Sequence, residues 1–178
     1  MDRGFFLVQR HVSADFSIRP FTWGDVSGIT AIYRHYALNS TATFDLEPPG
    51  ETAMAEKFGH IADLGHPVFV AISDDGNMLG YAYASIYRPR PAYRFTCENS
   101  VYCAPTALKQ GVGTALMETI IDRSRAVGFK QMIAVITAEG AGSIRLHEKL
   151  GFREVGRYEA VGFKFERWLD IVHMQKAL

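Results

Sequence analysis

Apolar positions recur along this chain in two rhythms. Val26, Ile29, Ile32, Tyr33 and Tyr36 are spaced for a helix that buries one face. Leu116, Met117, Ile120 and Ile121 repeat that spacing within 111–127, the strongest helical segment. Glu51 to Leu64 reads as a weaker helix and 142–150 as a short one. The latter stops at Gly151, which suits the residue after a helix C-cap. Thr22-Trp23-Gly24-Asp25 places an acid three residues after a threonine, a capping-box pattern. Strand-like runs fall at Phe16–Arg19, Val68–Ile72, Leu79–Ile86, Ser100–Cys103 and Met132–Ile136. A last strand is expected within Phe163–Met174, with Trp168, Asp170, Val172 and Met174 on one side. Asp74-Asp75-Gly76-Asn77 marks a hairpin turn. Residues 39–49 and 88–96 are turn- and proline-rich and read as loops, the second a mobile one. The order is βααβββαβαβ. Helices alternate with strands only in the second half, which predicts an α+β fold with a mixed sheet rather than a doubly wound parallel one.

Composition narrows the function classes. The chain has 178 residues, 48% of them hydrophobic, enough for one domain with a sizeable core. That domain is expected over 16–178, with 1–15 as an N-terminal extension. Nineteen basic residues balance nineteen acidic ones, so nucleic acid and anionic membrane are not expected as main partners. No apolar run approaches the roughly 20 residues that span a bilayer. The short patch Phe5 to Val8 is too brief for a secretory signal core. Cys97 and Cys103 on one strand would lie too far apart to bridge, which reads as a reduced, cytoplasmic chain. His35, His60, His66 and His173 show no metal-ligand spacing, and no metal is expected.

The most informative stretch runs from Val101 to Leu116. A strand ends at Ala104-Pro105, and a helix then opens on Gly111-Val112-Gly113. Glycine admits close approach of a ligand to the backbone, and the free N–H groups of a helix start favour an anion. Lys109 adds a positive charge beside them. From the loop alone, a pyrophosphate cradle and a plain strand-to-helix turn are both open. The residue three after Gly113 is Leu116, so a dinucleotide fingerprint is disfavoured. A Walker loop is disfavoured because no Gly-Lys-Ser/Thr follows.

The segment Leu108-Lys109-Gln110-Gly111-Val112-Gly113 resembles the acetyl-CoA loop of the GNAT superfamily, Gln/Arg-x-x-Gly-x-Gly/Ala. Four other stretches are similar to the phosphinothricin and methionine sulfoximine N-acetyltransferase group: Asn39 to Phe44, Glu98 to Tyr102, Ser143 to Phe152 and Val161 to Asp170. The resemblance covers about 16–178. It implies the GNAT acyl-CoA N-acyltransferase fold, a central mixed β-sheet splayed between two neighbouring strands and flanked by helices. It also implies direct acetyl transfer from acetyl-CoA to a small-molecule amine, and a homodimer.

Residue by residue, the resemblance implies that Val101, Tyr102 and Cys103 face the cofactor arm. Lys109, Gln110, Gly111, Val112, Gly113 and Thr114 would wrap the pyrophosphate. Glu98 matches the family's general base, although the residue taken alone reads rather as a surface glutamate at a strand start. The Cys103 N–H would be the oxyanion donor, its thiol reading only as a small buried residue. His147, with Ser143 one turn earlier, falls where a leaving-group acid is expected, and packing is the alternative for His147. Thr43, Phe44, Arg90, Tyr93, Arg94 and Lys164 would border the acceptor pocket. Two positions depart from the pattern: Leu108 stands where Gln or Arg is usual, and Gly140 where an asparagine would bond the cofactor arm. Both departures predict a weaker cofactor site. Alternatives in substrate scope are ordinary amino acids, polyamines or protein N-termini. An alternative of another class is a CoA-binding sensor without turnover.

Overall fold

The computed structural model describes residues 9–10 and 15–178. The short patch Phe5 to Val8 lies outside the described residues, as do the other residues of the expected extension except 9–10 and 15. Within that extension Gln9–Arg10 forms β1, paired with Ile18 and Ser17 of β2, Phe16–Pro20. Helices α1 (Val26–Asn39) and α2 (Glu51–Asp63) follow, then the hairpin β3 (Val68–Ser73) and β4 (Met78–Ile86). Next come β5 (Thr96–Cys103), α3 (Val112–Ala126), β6 (Gln131–Thr137) and α4 (Ala141–Lys149). The chain closes with β7 (Arg153–Lys164) and β8 (Arg167–Ala177).

The strands form one sheet in the order β1-β2-β3-β4-β5-β6-β8-β7. All pairs are antiparallel except β5–β6, so the sheet is mixed as expected. Phe58 of α2 packs edge-on against Tyr81 and Tyr83, which puts α1 and α2 on one face over β4 and β5. The opposite face carries α3 and α4. Leu116, Met117 and Ile120 of α3 are fully buried there, as are Met132, Val172 and Met174 from β6 and β8. The capping box is present: Asp25 accepts from the Thr22 N–H at 2.7 Å and the Thr22 hydroxyl at 2.9 Å.

Three expectations need correction. The strand expected from Ser100 begins at Thr96, so Glu98 lies inside it rather than before it. Two polar residues interrupt the apolar run: Glu98 is half-buried, and Asn99 is buried with its amide hydrogen-bonded. The loop at 88–96 is shorter than expected and holds a turn of 3-10 helix at Pro91–Tyr93. The last strand is two strands. Phe165 and Glu166, with φ of 52° and 58°, make a two-residue turn that no Gly or Asn announces. Strand β7 was not anticipated, because only Gly162 and Lys164 of its residues are buried and it carries no alternation. Of the residues expected on one side of the last strand, Val172 and Met174 are buried and Asp170 is half-buried, whereas Trp168 is 66% exposed at the hairpin end.

Candidate active site

The sheet divides between β5 and β6. They pair only at Thr96↔Gln131, Cys97↔Met132 and Glu98↔Ile133, and then part. The Ile133 carbonyl at this fork is capped by a side chain: Asn99 Nδ2 donates to it at 3.1 Å. Asn99 Oδ1 lies 3.0 Å from His147 Nε2, and His147 Nδ1 lies 2.8 Å from the Ser143 carbonyl. The imidazole is 2% exposed. Burial pushes its pKa down, and the Ser143 carbonyl partly offsets this. The Ser143 hydroxyl is 3.5 Å from Nδ1 and half-buried, so it is the more accessible member of the pair.

The loop after β5 meets α3 without a side-chain cap. Gly111 at the N-cap has φ 83° and Lys109 has φ 62°. Left-handed residues next to a helix start turn successive N–H groups outward, the geometry of an anion nest. Ala115 N–H already bonds the Gly111 carbonyl, which leaves Val112, Gly113 and Thr114 as the first-turn donors without an intrahelical acceptor. A Cβ on Gly113 would sit 3.4 Å from Cys103 Sγ, so this turn packs directly on the end of β5. Gln110 ties the loop to itself, its Nε2 donating to the Thr106 carbonyl at 2.7 Å. These features fit a pyrophosphate held by main-chain donors. Val101 and Cys103 line the opened edge of β5. The Tyr102 side chain points to the other face, among Tyr33, Tyr36 and Tyr81, so only its backbone reaches the fork. Burial pushes the Cys103 thiol up to about 11, and the Tyr36 hydroxyl donates to the Cys103 carbonyl at 2.7 Å.

Glu98 projects to the α1–α2 face, on the last pair before the strands separate. Burial raises its pKa, while the charges of Arg88 and Lys57 pull the other way. Lys57 Nζ rests 4.9 Å from the Tyr83 ring centre and 5.6 Å from that of Tyr33. Beyond Glu98 on the same face lies a cavity of about 400 Å³, lined in part by Tyr87, Tyr93, Thr96 and Ile133.

The expected acceptor residues separate into two groups. Tyr93 lines this cavity, whereas Arg90 and Arg94 are exposed beside it, Arg94 lying over the Phe95 ring. Thr43, Phe44 and Lys164 form a different cluster. Lys164 is buried and its ammonium donates to the Thr43 carbonyl at 2.7 Å. The Phe44 ring lies against Gly162, where a Cβ would come within 2.5 Å of it, so glycine is required by close approach. This cluster straps the loop after α1 onto β7.

The model of the acetyltransferase (GNAT) family matches residues 29–152. The chain belongs to that family. It is 47% identical over 155 residues to a phosphinothricin N-acetyltransferase of Alcaligenes faecalis, covering 86% of this chain and 78% of that one. It is 39% identical over 159 residues to an L-methionine sulfoximine/L-methionine sulfone acetyltransferase of Pseudomonas paraeruginosa, covering 89% and 92%. Among solved structures, a phosphinothricin acetyltransferase from Sinorhizobium meliloti in complex with acetyl-CoA superposes with a TM-score of 0.90 at 44% identity, covering 92% of this chain and 89% of that one.

This acetyltransferase departs from the family loop at Leu108, which is 53% exposed and so costs no core packing. At Gly140 the departure has a steric reason. A Cβ there would meet Ile136 Cγ2 at 2.9 Å and the Thr137 carbonyl at 3.0 Å, so the path from β6 into α4 leaves no room for an asparagine. The sequence reading missed Asn99, Lys57 and Arg88. Asn99 stood inside a recognised stretch, and its adjacency to Glu98 was the available signal. Nothing local marks Lys57 or Arg88, since only the tertiary fold brings them to Glu98.

Proposed function

We propose that this chain transfers the acetyl group of acetyl-CoA to the amine of a small amino-acid-like acceptor, with Glu98 as general base. The observation that carries this reading is the position of Glu98: a half-buried carboxylate at the fork of the splayed sheet, on the face that carries a cavity. Desolvation favours a proton on Glu98, which brings its pKa towards that of a base working near neutrality. Glu98 takes a proton from the acceptor ammonium, directly or through one water, and frees the amine to attack. The Cys103 N–H, on the opened edge of β5, donates to the oxyanion that develops on the acyl carbonyl. The Ser143 hydroxyl is placed to meet the leaving sulfur, with the His147 imidazole behind it. A thiol of pKa about 8.5 makes such help useful rather than obligatory.

Lys109 to Thr114 hold the co-substrate's pyrophosphate, mainly through backbone N–H groups. That is why the loop tolerates Leu108. Acetyl-CoA supplies the activated acyl group, and Val101 and Cys103 offer main-chain partners to its arm. The named acceptors of the relatives carry a carboxylate beside the amine, and the cations Arg88 and Lys57 near Glu98 suit such a group. The homodimer implied by the resemblance belongs to this proposal too. Its support is the exposed apolar strip Val161, Phe163, Phe165 and Trp168 on the β7–β8 hairpin.

The reaction is tested by incubating the protein with acetyl-CoA and methionine sulfoximine and examining the product by mass spectrometry. A product carrying one acetyl group on its amine supports the proposal. Intact acceptor alongside bound acetyl-CoA contradicts it.

A further inference from the structure

Glu98 and Asn99 are neighbours on β5, and strand alternation sends them to opposite faces of the sheet. Asn99 is buried on the face of α3 and α4, and the chemistry above gives it no part. Its amide makes two bonds that join three elements. Nδ2 donates to the Ile133 carbonyl of β6, at the last register pair before the strands separate. A carbonyl can only accept, so this bond fixes the amide with Oδ1 towards α4, where it takes the Nε2–H of His147 at 3.0 Å. On the far side of the ring the Ser143 hydroxyl faces Nδ1, and the Ser143 carbonyl is the acceptor for a second ring proton when the imidazole is charged. Phe152 packs edge-on against the imidazole, the ring centres 4.8 Å apart.

Helix α4 has little else to fix its place. Its N-cap is Gly140, which offers no side-chain bond, and His147 is its one buried residue. Ile144 and Leu146 pack against the core from half-buried positions. Apolar contacts are non-directional, so they hold a helix down without setting where along the sheet it sits. A hydrogen bond between one donor and one acceptor does set it. The place matters because α4 stands against the anion nest. A Cβ on Gly113, in the first turn of α3, would lie 3.5 Å from Leu146 Cδ2 and 3.4 Å from Cys103 Sγ, so α4, the nest and the end of β5 meet at that point. Ser143 stands one turn before His147 on the same helix.

We infer that Asn99 is a positioning residue for acetyl-CoA: its bond to His147 clips α4 to the fork and so sets the gap between α4 and the first turn of α3. The inference rests on the acetyl-transfer reading for the identity of the co-substrate, and deepens it. Two neighbours on one strand divide the work, Glu98 serving the acceptor and Asn99 the co-substrate.

The test is acetyl-CoA affinity, measured by calorimetry without any acceptor, with the fold of each variant followed by circular dichroism. Asn99→Leu leaves the His147 Nε2–H without its acceptor. It should weaken acetyl-CoA binding by roughly 10-fold, the effect of one buried hydrogen bond lost. His147→Leu should weaken it similarly, and the double variant should bind no more weakly than either single one, because both changes remove the same bond. His147→Gln, which keeps a side-chain N–H for Asn99 Oδ1, should recover most of the loss seen in His147→Leu, which a role in packing alone would not give. Wild-type affinity in both leucine variants, or losses that add in the double variant, would overturn the inference. Should Asn99→Leu not fold, equal affinities of His147→Leu and His147→Gln would overturn it. No binding of acetyl-CoA by the wild type would instead overturn the reading beneath it.

Discussion

Glu98 is balanced by opposing influences, and that balance is open to experiment. Burial raises its pKa, and Arg88 and then Lys57 lower it. The sign of each perturbation follows. Removing a nearby cation takes away a stabiliser of the carboxylate, so the pKa rises and the acidic limb of the kcat/KM profile moves to higher pH. Arg88→Met and Lys57→Met should both move the limb upward, Arg88→Met more. A limb that stays in place in both would separate these charges from the base. Glu98→Gln should cut turnover by about 100-fold at pH 7 and less at pH 9, where free amine is already present. At this scale the sequence was legible where a residue type is tied to a local pattern: the glycines at 111 and 113 and the glutamate within Glu98 to Tyr102. Asn99, Lys57 and Arg88 were not, because each draws its role from a partner far away in the chain. His147 lies between: its place on the helix was readable, its enclosure between Asn99 and the Ser143 carbonyl was not.

Among the elements, α3 does two jobs with one sequence. Its first turn offers uncapped N–H groups, and its apolar stripe anchors it to the sheet. Leu116 is fully buried, and a Cβ on Gly80 of β4 would lie 3.2 Å from its Cδ1. Leu116→Ala should therefore destabilise by about 3 kcal/mol, read as a lower midpoint in urea with the slope retained. Gly113→Glu tests the other job. It places bulk and negative charge against Cys103 and at the anion nest, so acetyl-CoA binding measured by calorimetry should be lost while the fold, followed by circular dichroism, persists. The helices were readable because each buries one continuous stripe. Strand β7 was not, because its faces are mostly open and its bulges break the alternation at Val155 and again before Gly162. The turn at Phe165–Glu166 uses residues without a left-handed preference, held there by the pairing of Lys164 with Arg167.

The whole molecule works through one topological event, the parting of β5 from β6 after Glu98 and Ile133. No local pattern in the sequence encodes that fork. It lies where the parallel β5–β6 pairing stops, and it was anticipated only through the resemblance of the loop and its companion stretches. The fork puts the main-chain edge of Val101 to Cys103, the Asn99–His147 pair and the Glu98 carboxylate around one point. The α3 loop stands on one side of it and the cavity lined by Tyr87, Tyr93 and Thr96 on the other. Among the described residues no helix is long and apolar enough to cross a membrane. This arrangement is proposed to acetylate amino-acid-like amines. The most direct measurement is the rate of free-thiol release from acetyl-CoA with phosphinothricin, methionine sulfoximine, methionine sulfone, common amino acids and a polyamine. Release with the first three, well above the polyamine, is the expected result. Measurable acetyl-CoA binding with no release on any of them would contradict the account and turn it towards a CoA-binding protein without turnover.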